Sequence, residues 1–231
     1  MKVIVFGTLV TDLLLASFTL WLGWGLYQEA RRLKDRAIAL WLGAFCASGV
    51  SVVLNGLWHA FSEQQQEADW VSSLLWSSAT VLAVTSSLLF LLAIVRVYTG
   101  GRVRAIIGGV AVAKFALLGL WIALNNRFGL IIYDTVLTML IILVLSTWGA
   151  WIRATPFAPW VLAGVMISML ATLFQQGRVA MHPRFDHNDL YHVTQMLAIY
   201  YLYRGGMLLR DSEPEVPEFE TTQQLPVVGE E

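Results

Sequence analysis

The longest uncharged segment of the sequence runs from Val71 to Val95 and contains no Asp, Glu, Lys or Arg. A helix needs about 20 mostly apolar residues to cross the hydrocarbon core of a bilayer. Six further stretches have a similar character, so seven spans are predicted, at about 5–28, 38–61, 70–96, 104–124, 129–152, 159–177 and 188–209. We therefore predict an all-α polytopic membrane protein that folds as a seven-helix transmembrane bundle.

The composition supports a membrane protein and excludes several other classes. The chain of 231 residues is 57% hydrophobic and 13% charged, whereas a soluble domain carries roughly 25% charged residues. Its aromatic content of 12% excludes a largely disordered chain. A single cysteine excludes a disulfide framework and any metal cluster built on cysteines. We expect a membrane lipid as substrate or ligand and no nucleic-acid partner, and the oligomeric state is left open.

The charged residues divide the chain into two regions and orient it. Residues 211–231 contain seven acidic side chains and no Lys or Arg. We predict a transmembrane domain over 1–210 and an acidic, disordered tail over 211–231. Ten Lys and Arg residues lie at the ends where the first, third, fifth and seventh stretches finish, against four at the opposite ends. Because Lys and Arg favour cytoplasmic loops, the N-terminus is predicted outside and the C-terminus in the cytoplasm.

Ionisable side chains inside membrane spans are costly and therefore indicate functional sites. All the ionisable side chains inside the predicted spans except Lys114 lie in the same half of the bundle. Asp69 and His187, which immediately precede spans, lie at that end as well. The set at that end is Asp12, His59, Asp69, Asp134, His187, Asp189 and His192. Some of these ionisable side chains can instead have a purely structural role. Lys114 can form an ion pair with Asp12 or Asp134, and a lone His59 can be a packing residue. The serines of the third stretch are expected to serve close helix packing.

The start of the seventh stretch carries a dense group of polar residues. On a helix, Asp189 and His192 are neighbours, whereas His187 lies about 140° away from His192. His187 therefore converges with His192 only if it lies in the loop before the helix, which an N-cap at Asp186 or Asn188 would favour. Histidines and carboxylates from neighbouring helices are suitable zinc ligands. The predicted metal ligands are His59, His187, Asp189 and His192. Asp12, Asp69 or Asp134 is expected to orient a ligand or accept a proton.

These features resemble the superfamily of alkaline ceramidases and adiponectin-receptor-type (progestin and adipoQ receptor) membrane proteins. The resemblance is carried by Thr11-Asp12, by the segment from Gly56 to Phe61 that contains His59, and by the segment from His187 to His192. It looks closest to bacterial members, which implies an integral protein of a bacterial inner membrane. The resemblance implies seven spans, hydrolysis of lipid amides, and one zinc ion held by a histidine of the second helix and two of the seventh.

The resemblance assigns roles to particular positions and also shows departures. His59 and His192 match two of the zinc histidines, but the first histidine of the seventh-helix pair falls on Asn188. The serine four residues before the second-helix histidine is replaced by Asn55, which we expect to donate a hydrogen bond to the oxyanion. Asp69 lies where the family has an aspartate of the third helix.

We therefore expect a zinc-dependent membrane hydrolase that acts on a lipid amide or ester, with Asp12 or Asp69 as general base. One alternative is a non-enzymatic receptor, sensor or accessory protein whose polar cluster is structural or binds a small ligand. A second alternative is a membrane redox protein that holds haem between His59 and His192.

Overall fold

The computed structural model describes residues 3–62, 70–125, 129–182 and 185–211. These residues form seven α-helices, and their only β-pairing is an isolated bridge between His182 and Phe185. The helices are α1 (Val3–Leu33), α2 (Arg36–Ser62), α3 (Trp70–Tyr98), α4 (Gly101–Asn125), α5 (Gly129–Ile152), α6 (Ala158–Gln176) and α7 (His187–Leu208). The all-helical fold predicted from the sequence is confirmed.

Six of these helices, α1 to α6, are long and apolar enough to cross a membrane. Six such helices in one chain indicate an integral membrane protein. The seventh helix does not reach the same apolar threshold within the described residues. The prediction of seven spans is thus supported for six helices, and α7 requires a separate argument.

Six helices form a closed ring in which α1, α2, α3, α5, α6 and α7 follow one another and α7 returns to α1. The helix α4 packs mainly against α3 on the outside of this ring. The most deeply buried apolar side chains, which include Trp41, Phe45 and Leu26, lie in the half of the bundle where α1 ends and α2 begins. The other half contains the polar residues that the sequence singled out.

Close packing holds α7 in the ring. A Cβ atom on Gly164 would lie 2.7 Å from the Leu202 side chain, and one on Gly205 would lie 2.7 Å from Val161. Small residues of this kind let helix backbones approach closely in membranes. In addition, the indole Nε1 of Trp41 donates a hydrogen bond of 3.0 Å to the carbonyl of Leu202. The polar helix α7 is therefore an integral wall of the bundle.

The two faces of α7 differ in polarity. Asp189 and His192 are buried against the other helices, whereas Val193, Leu197 and Tyr200 are exposed on the outer face. The mean hydropathy of α7 is lowered by the polar residues of its buried face. The outward face alone is mostly apolar, as expected for a helix that turns its polar groups toward the interior of a membrane bundle.

The opposite end of the bundle is tied together by Asp211. Its carboxylate accepts a bond of 2.6 Å from Arg96 Nε and lies 3.6 Å from Arg104. Its backbone N–H donates to Oδ2 of Asp35, whose Oδ1 accepts from the first-turn N–H of Ala37 in α2. The bundle therefore extends to Asp211, one residue beyond the predicted boundary. The predicted acidic tail from 212 onward lies outside the described residues.

Candidate functional site

The first and last helices meet at two buried ionisable side chains. Asp12 of α1 is fully buried, and His192 of α7 is 4% exposed. His192 Nε2 lies 3.1 Å from Asp12 Oδ1. Burial of a lone carboxylate would be strongly unfavourable. The nearby imidazole of His192 lowers the free-energy cost of burying Asp12. The structure thus brings together two residues that the sequence had placed in one half of the bundle.

Thr11 orients the imidazole from its other side. Its Oγ1 lies 2.9 Å from Nδ1 of His192 and donates a 2.9 Å bond to Oδ1 of Asp189. A carboxylate accepts only, and a bond from hydroxyl to carboxylate is stronger than one to a neutral acceptor. The same Thr11 hydroxyl lies 3.1 Å from the carbonyl of Thr8. When its single hydrogen is directed to Asp189 or to Thr8, the contact with His192 needs a hydrogen on Nδ1. The remaining nitrogen, Nε2, faces Asp12 Oδ1, but the orientation of this contact is not that of a hydrogen bond.

Asp189, at the start of α7, accepts a hydrogen bond at each of its two carboxylate oxygens. Asp186 is the N-cap, and its side chain accepts from the backbone N–H groups of Asn188 and Asp189. Asp189 Oδ2 in turn accepts from the backbone N–H of Asp186, which completes a capping box. The expectation of an N-cap at Asp186 is confirmed. The helix then starts at His187, however, so the cap does not leave His187 in the loop, and the expected effect of this cap on His187 was wrong. Both oxygens of Asp189 thus accept hydrogen bonds within the protein, and metal binding by Asp189 stays a prediction.

An outer chamber with a cavity volume of about 190 Å³ lies beside the Asp12–His192 pair. All six helices of the ring contribute to its walls, which mix polar side chains such as Asn55 and Gln175 with apolar ones such as Trp76. Asn55 lies close to the Asp12 carboxylate. A chamber with an apolar lining and a few convergent polar groups has the usual character of a ligand site.

Gly56 allows α1 and α2 to approach each other at the chamber. A Cβ atom on this residue would lie 3.0 Å from the Cβ of Asp12. This separation is shorter than an ordinary contact between carbon atoms. The glycine at position 56 therefore lets α1 come close enough to α2 for Asp12 to lie next to Asn55.

Of the two other histidines predicted to bind metal, His59 lies within electrostatic range of His192. His59 lies near the end of α2, where its ring packs 5.0 Å from the ring of Trp58. His187 occupies the first position of α7, so it lies about 140° around the helix from His192. Asn188, which replaces a zinc histidine of the resembling family, accepts a long bond of 3.4 Å from Gln175 of α6.

Within the described residues, no group of three or more His, Cys, Asp or Glu side chains is placed to hold a metal ion. Of the two ring nitrogens of His192, Nδ1 contacts Thr11 and Nε2 faces Asp12. As they are arranged, the described residues therefore do not form the zinc site that the resemblance implies. The haem alternative stays a prediction. Asp69, the other predicted general base, lies outside the described residues.

Lys114 and Asp134 form an ion pair between α4 and α5. The lysine also donates a 3.1 Å bond to Oγ1 of Thr138. Of the two partners that the sequence offered to Lys114, the structure selects Asp134, and Asp12 is paired with His192 instead. This intramembrane ion pair attaches the peripheral helix α4 to the ring.

Thr11 is the functional residue that the sequence analysis did not identify as such. A threonine hydroxyl within a helix commonly bonds to its own backbone, so the residue type carries no signal. Its position immediately before Asp12 was noticed only as part of the resemblance. Gln175, which lines the outer chamber, was not identified either, because an uncharged polar residue at the end of a span is not by itself a sign of a site.

A family model described as a family of unknown function, DUF6962, matches residues 7–211. The match runs from the first turns of α1 to Asp211 and so covers the bundle as a whole. No curated protein and no solved structure matches the chain. The resemblance to the alkaline ceramidase superfamily is not tested by these comparisons and stays a prediction.

Proposed function

The chain belongs to the DUF6962 family of unknown function, and we propose that it is an integral membrane hydrolase that cleaves an amide or ester bond of an amphipathic lipid. The observation that carries the proposal is the contact between His192 Nε2 and Asp12 Oδ1 at the wall of a chamber within the bundle. A buried carboxyl group beside an imidazole, next to a cavity, is an arrangement that general acid–base catalysis can use.

The outer chamber suits a molecule with a polar carbonyl group and a hydrocarbon part. Asn55 and Gln175 provide hydrogen-bonding groups, and Trp76 and Val52 provide apolar walls. A lipid amide or ester has this combination of chemistry. Its carbonyl would lie next to Asn55, because the amide N–H₂ of that residue can donate to the carbonyl oxygen.

In the proposed reaction, a water molecule attacks the carbonyl carbon and its proton passes to the Asp12 carboxylate. Nε2 of His192, 3.1 Å from Asp12 Oδ1, is proposed to share this proton, and the ring becomes an imidazolium when the proton resides on Nε2. Thr11 accepts from Nδ1 and is bound to the Asp189 carboxylate, so a negative charge stands behind the positive ring.

Asn55 is proposed to donate a hydrogen bond to the oxyanion of the tetrahedral intermediate. The bond from the carbonyl carbon to the leaving nitrogen or oxygen then breaks, and the proton held by Asp12 passes to the leaving group. The products are a carboxylic acid and an amine or alcohol. Each of these steps uses only side chains of the described residues and one water molecule.

The experiment that tests this function is a cleavage assay on purified protein in lipid nanodiscs. The probes are p-nitrophenyl esters and N-acyl-p-nitroanilides with acyl chains of graded length. We expect cleavage by the wild type above the protein-free rate and a loss of about 100-fold or more in His192→Gln. Asp211→Asn, at the opposite end of the bundle, is the control and should retain the activity. No cleavage of any probe by the wild type, or equal rates in His192→Gln, would contradict the proposal.

We further propose that α7 is a seventh span, with the N-terminus outside and the C-terminus in the cytoplasm. Its 22 residues extend about 33 Å, which is enough to cross the hydrocarbon core. Fusions of alkaline phosphatase and of a green fluorescent protein to the C-terminus test the orientation in a bacterial inner membrane. The proposal expects fluorescence and no phosphatase activity, and the reverse result would contradict it.

A further inference from the structure

A second cavity, the inner chamber, lies deeper in the bundle and has a volume of about 210 Å³. Ser51, Ala83 and Tyr191 line both this chamber and the outer chamber, so the two cavities are adjacent. The volume is many times the ~10–15 Å³ of probe-occupied space that one water molecule needs. The inner chamber can therefore hold several water molecules or a small part of a ligand.

Three hydroxyl groups of the inner chamber have unused hydrogen-bonding capacity. Ser87 Oγ is buried and makes no hydrogen bond within the described part of the chain. Ser168 Oγ accepts a 3.1 Å bond from Gln195, and Thr138 Oγ1 accepts one from Lys114, so each of these two hydroxyls can still donate. Buried polar groups normally find a partner, and one left without a partner costs roughly 1–3 kcal/mol.

The lining of the inner chamber excludes two kinds of occupant. A hydrocarbon chain would leave Ser87 and its neighbours without hydrogen-bond partners. A charged group would meet no opposite charge, because none of the described side chains that line this chamber is charged. Lys114, which donates a hydrogen bond to Thr138 of the wall, is already paired with Asp134. The remaining occupants are water and neutral groups that form hydrogen bonds.

We propose that the inner chamber is a water-accessible binding compartment, continuous with the outer chamber, that receives an uncharged group bearing hydroxyl or amide functions. The inference concerns this chamber alone and does not depend on the outer chamber being hydrolytic. It assigns a ligand-binding purpose to Ser87, a member of the serine series that the sequence analysis had attributed to packing.

Cysteine accessibility tests the proposal directly. In a Cys46→Ala background, Ser87→Cys places a thiol in the inner chamber, and Thr85→Cys is the matched control on the same helix. Thr85 lies about 200° around α3 from Ser87, and its hydroxyl bonds to the backbone carbonyl of Val81 on the exposed side. Ser87→Cys is nearly isosteric, whereas Thr85→Cys also removes one methyl group. Thermal unfolding in detergent checks that both proteins are folded.

The reagents are methyl methanethiosulfonate, which is small and uncharged, and its trimethylammonium-ethyl analogue, which carries a permanent positive charge. Only the thiolate reacts, and a thiolate forms only where water is present. We expect Ser87→Cys to react with the neutral reagent at least tenfold faster than Thr85→Cys, and at least tenfold faster than with the charged reagent. Equal rates at positions 85 and 87, or equal rates with both reagents, would overturn the proposal.

A second pair of variants tests whether the two chambers are continuous. Ala83 lies on the wall that they share, so Ala83→Leu should narrow the connection, whereas Ala83→Ser should not. We expect Ala83→Leu to slow the neutral reagent at Ser87→Cys at least fivefold relative to Ala83→Ser. An unchanged rate would show that the inner chamber is reached by another route, which contradicts its continuity with the outer chamber.

Discussion

His192 Nε2 lies 3.1 Å from Asp12 Oδ1, and this contact joins the last helix of the bundle to the first. Both side chains are almost completely shielded from solvent. The same contact closes the ring of helices and forms part of the wall of the outer chamber. The pair is therefore expected to contribute to stability as well as to the proposed chemistry, and the two effects can be measured separately.

Removal of one partner of this pair should destabilise the protein more than removal of both. His192→Phe leaves the Asp12 carboxyl buried without a partner, which costs about 3–5 kcal/mol. Asp12→Leu combined with His192→Phe removes the stranded group, so the double variant should recover part of this loss. Reversible unfolding in mixed detergent micelles measures the free energies of the single and double variants. Strictly additive losses would show that the two side chains are not coupled.

Thr11→Val should separate the imidazole from the Asp189 carboxylate. The substitution keeps the shape of the side chain and removes the hydroxyl that contacts both groups. We expect a loss of about 1–3 kcal/mol in the free energy of unfolding, because buried polar atoms then lack partners. Thr11→Ser retains the hydroxyl and is the control, with a much smaller loss. If the valine and serine variants were equally stable, the bridging role of Thr11 would be excluded.

Gly56→Ala and Gly109→Ala are expected to change stability in opposite directions. The added methyl group at position 56 would lie 3.0 Å from the Asp12 Cβ, whereas at position 109 in α4 it would meet nothing within 4 Å. Overpacking at position 56 should cost about 1–3 kcal/mol. Gly109→Ala should stabilise α4 by about 0.5–1 kcal/mol through the lower backbone entropy of the unfolded state. Thermal unfolding compares the two, and a stabilising Gly56→Ala would contradict the close helix approach.

Asn55→Ala should lower the turnover number more than it changes the binding of substrate. The amide is proposed to donate to an oxyanion that exists only in the transition state and the intermediate, so its loss should reduce kcat about 100-fold to 1000-fold. KM should change little. Steady-state kinetics on the best p-nitrophenyl ester separates the two constants. A rise in KM at constant kcat would instead assign Asn55 to ground-state binding.

Much of the fold follows from the sequence, because membrane spans depend on length and apolar character, which are local properties. The polar half of the bundle could be located for the same reason: alternating spans place Asp12 and His192 at one end. The choice of partners depends on how each helix is rotated, which the sequence does not specify. Lys114 had two candidate carboxylates, and only the packing of α4 beside α5 selects Asp134.

Two details depended on single residues and single hydrogen bonds. The capping box between Asp186 and Asp189 starts α7 at His187, and this start directs His187 away from His192. A helix that began one residue later would have left His187 in the loop, as a zinc site would require. Thr11 likewise acts through the direction of one hydroxyl hydrogen, which no pattern in the sequence specifies.

The central claim is that Asp12 and His192 activate water without a metal ion. The most direct test measures ester hydrolysis by the wild type and by Asp12→Asn, each before and after treatment with a zinc chelator, with the metal content determined by elemental analysis. The account predicts that the chelator leaves the wild-type rate unchanged and that Asp12→Asn loses about 100-fold or more. An equal rate in Asp12→Asn, or a wild-type rate that disappears with the chelator and returns with Zn²⁺, would contradict it.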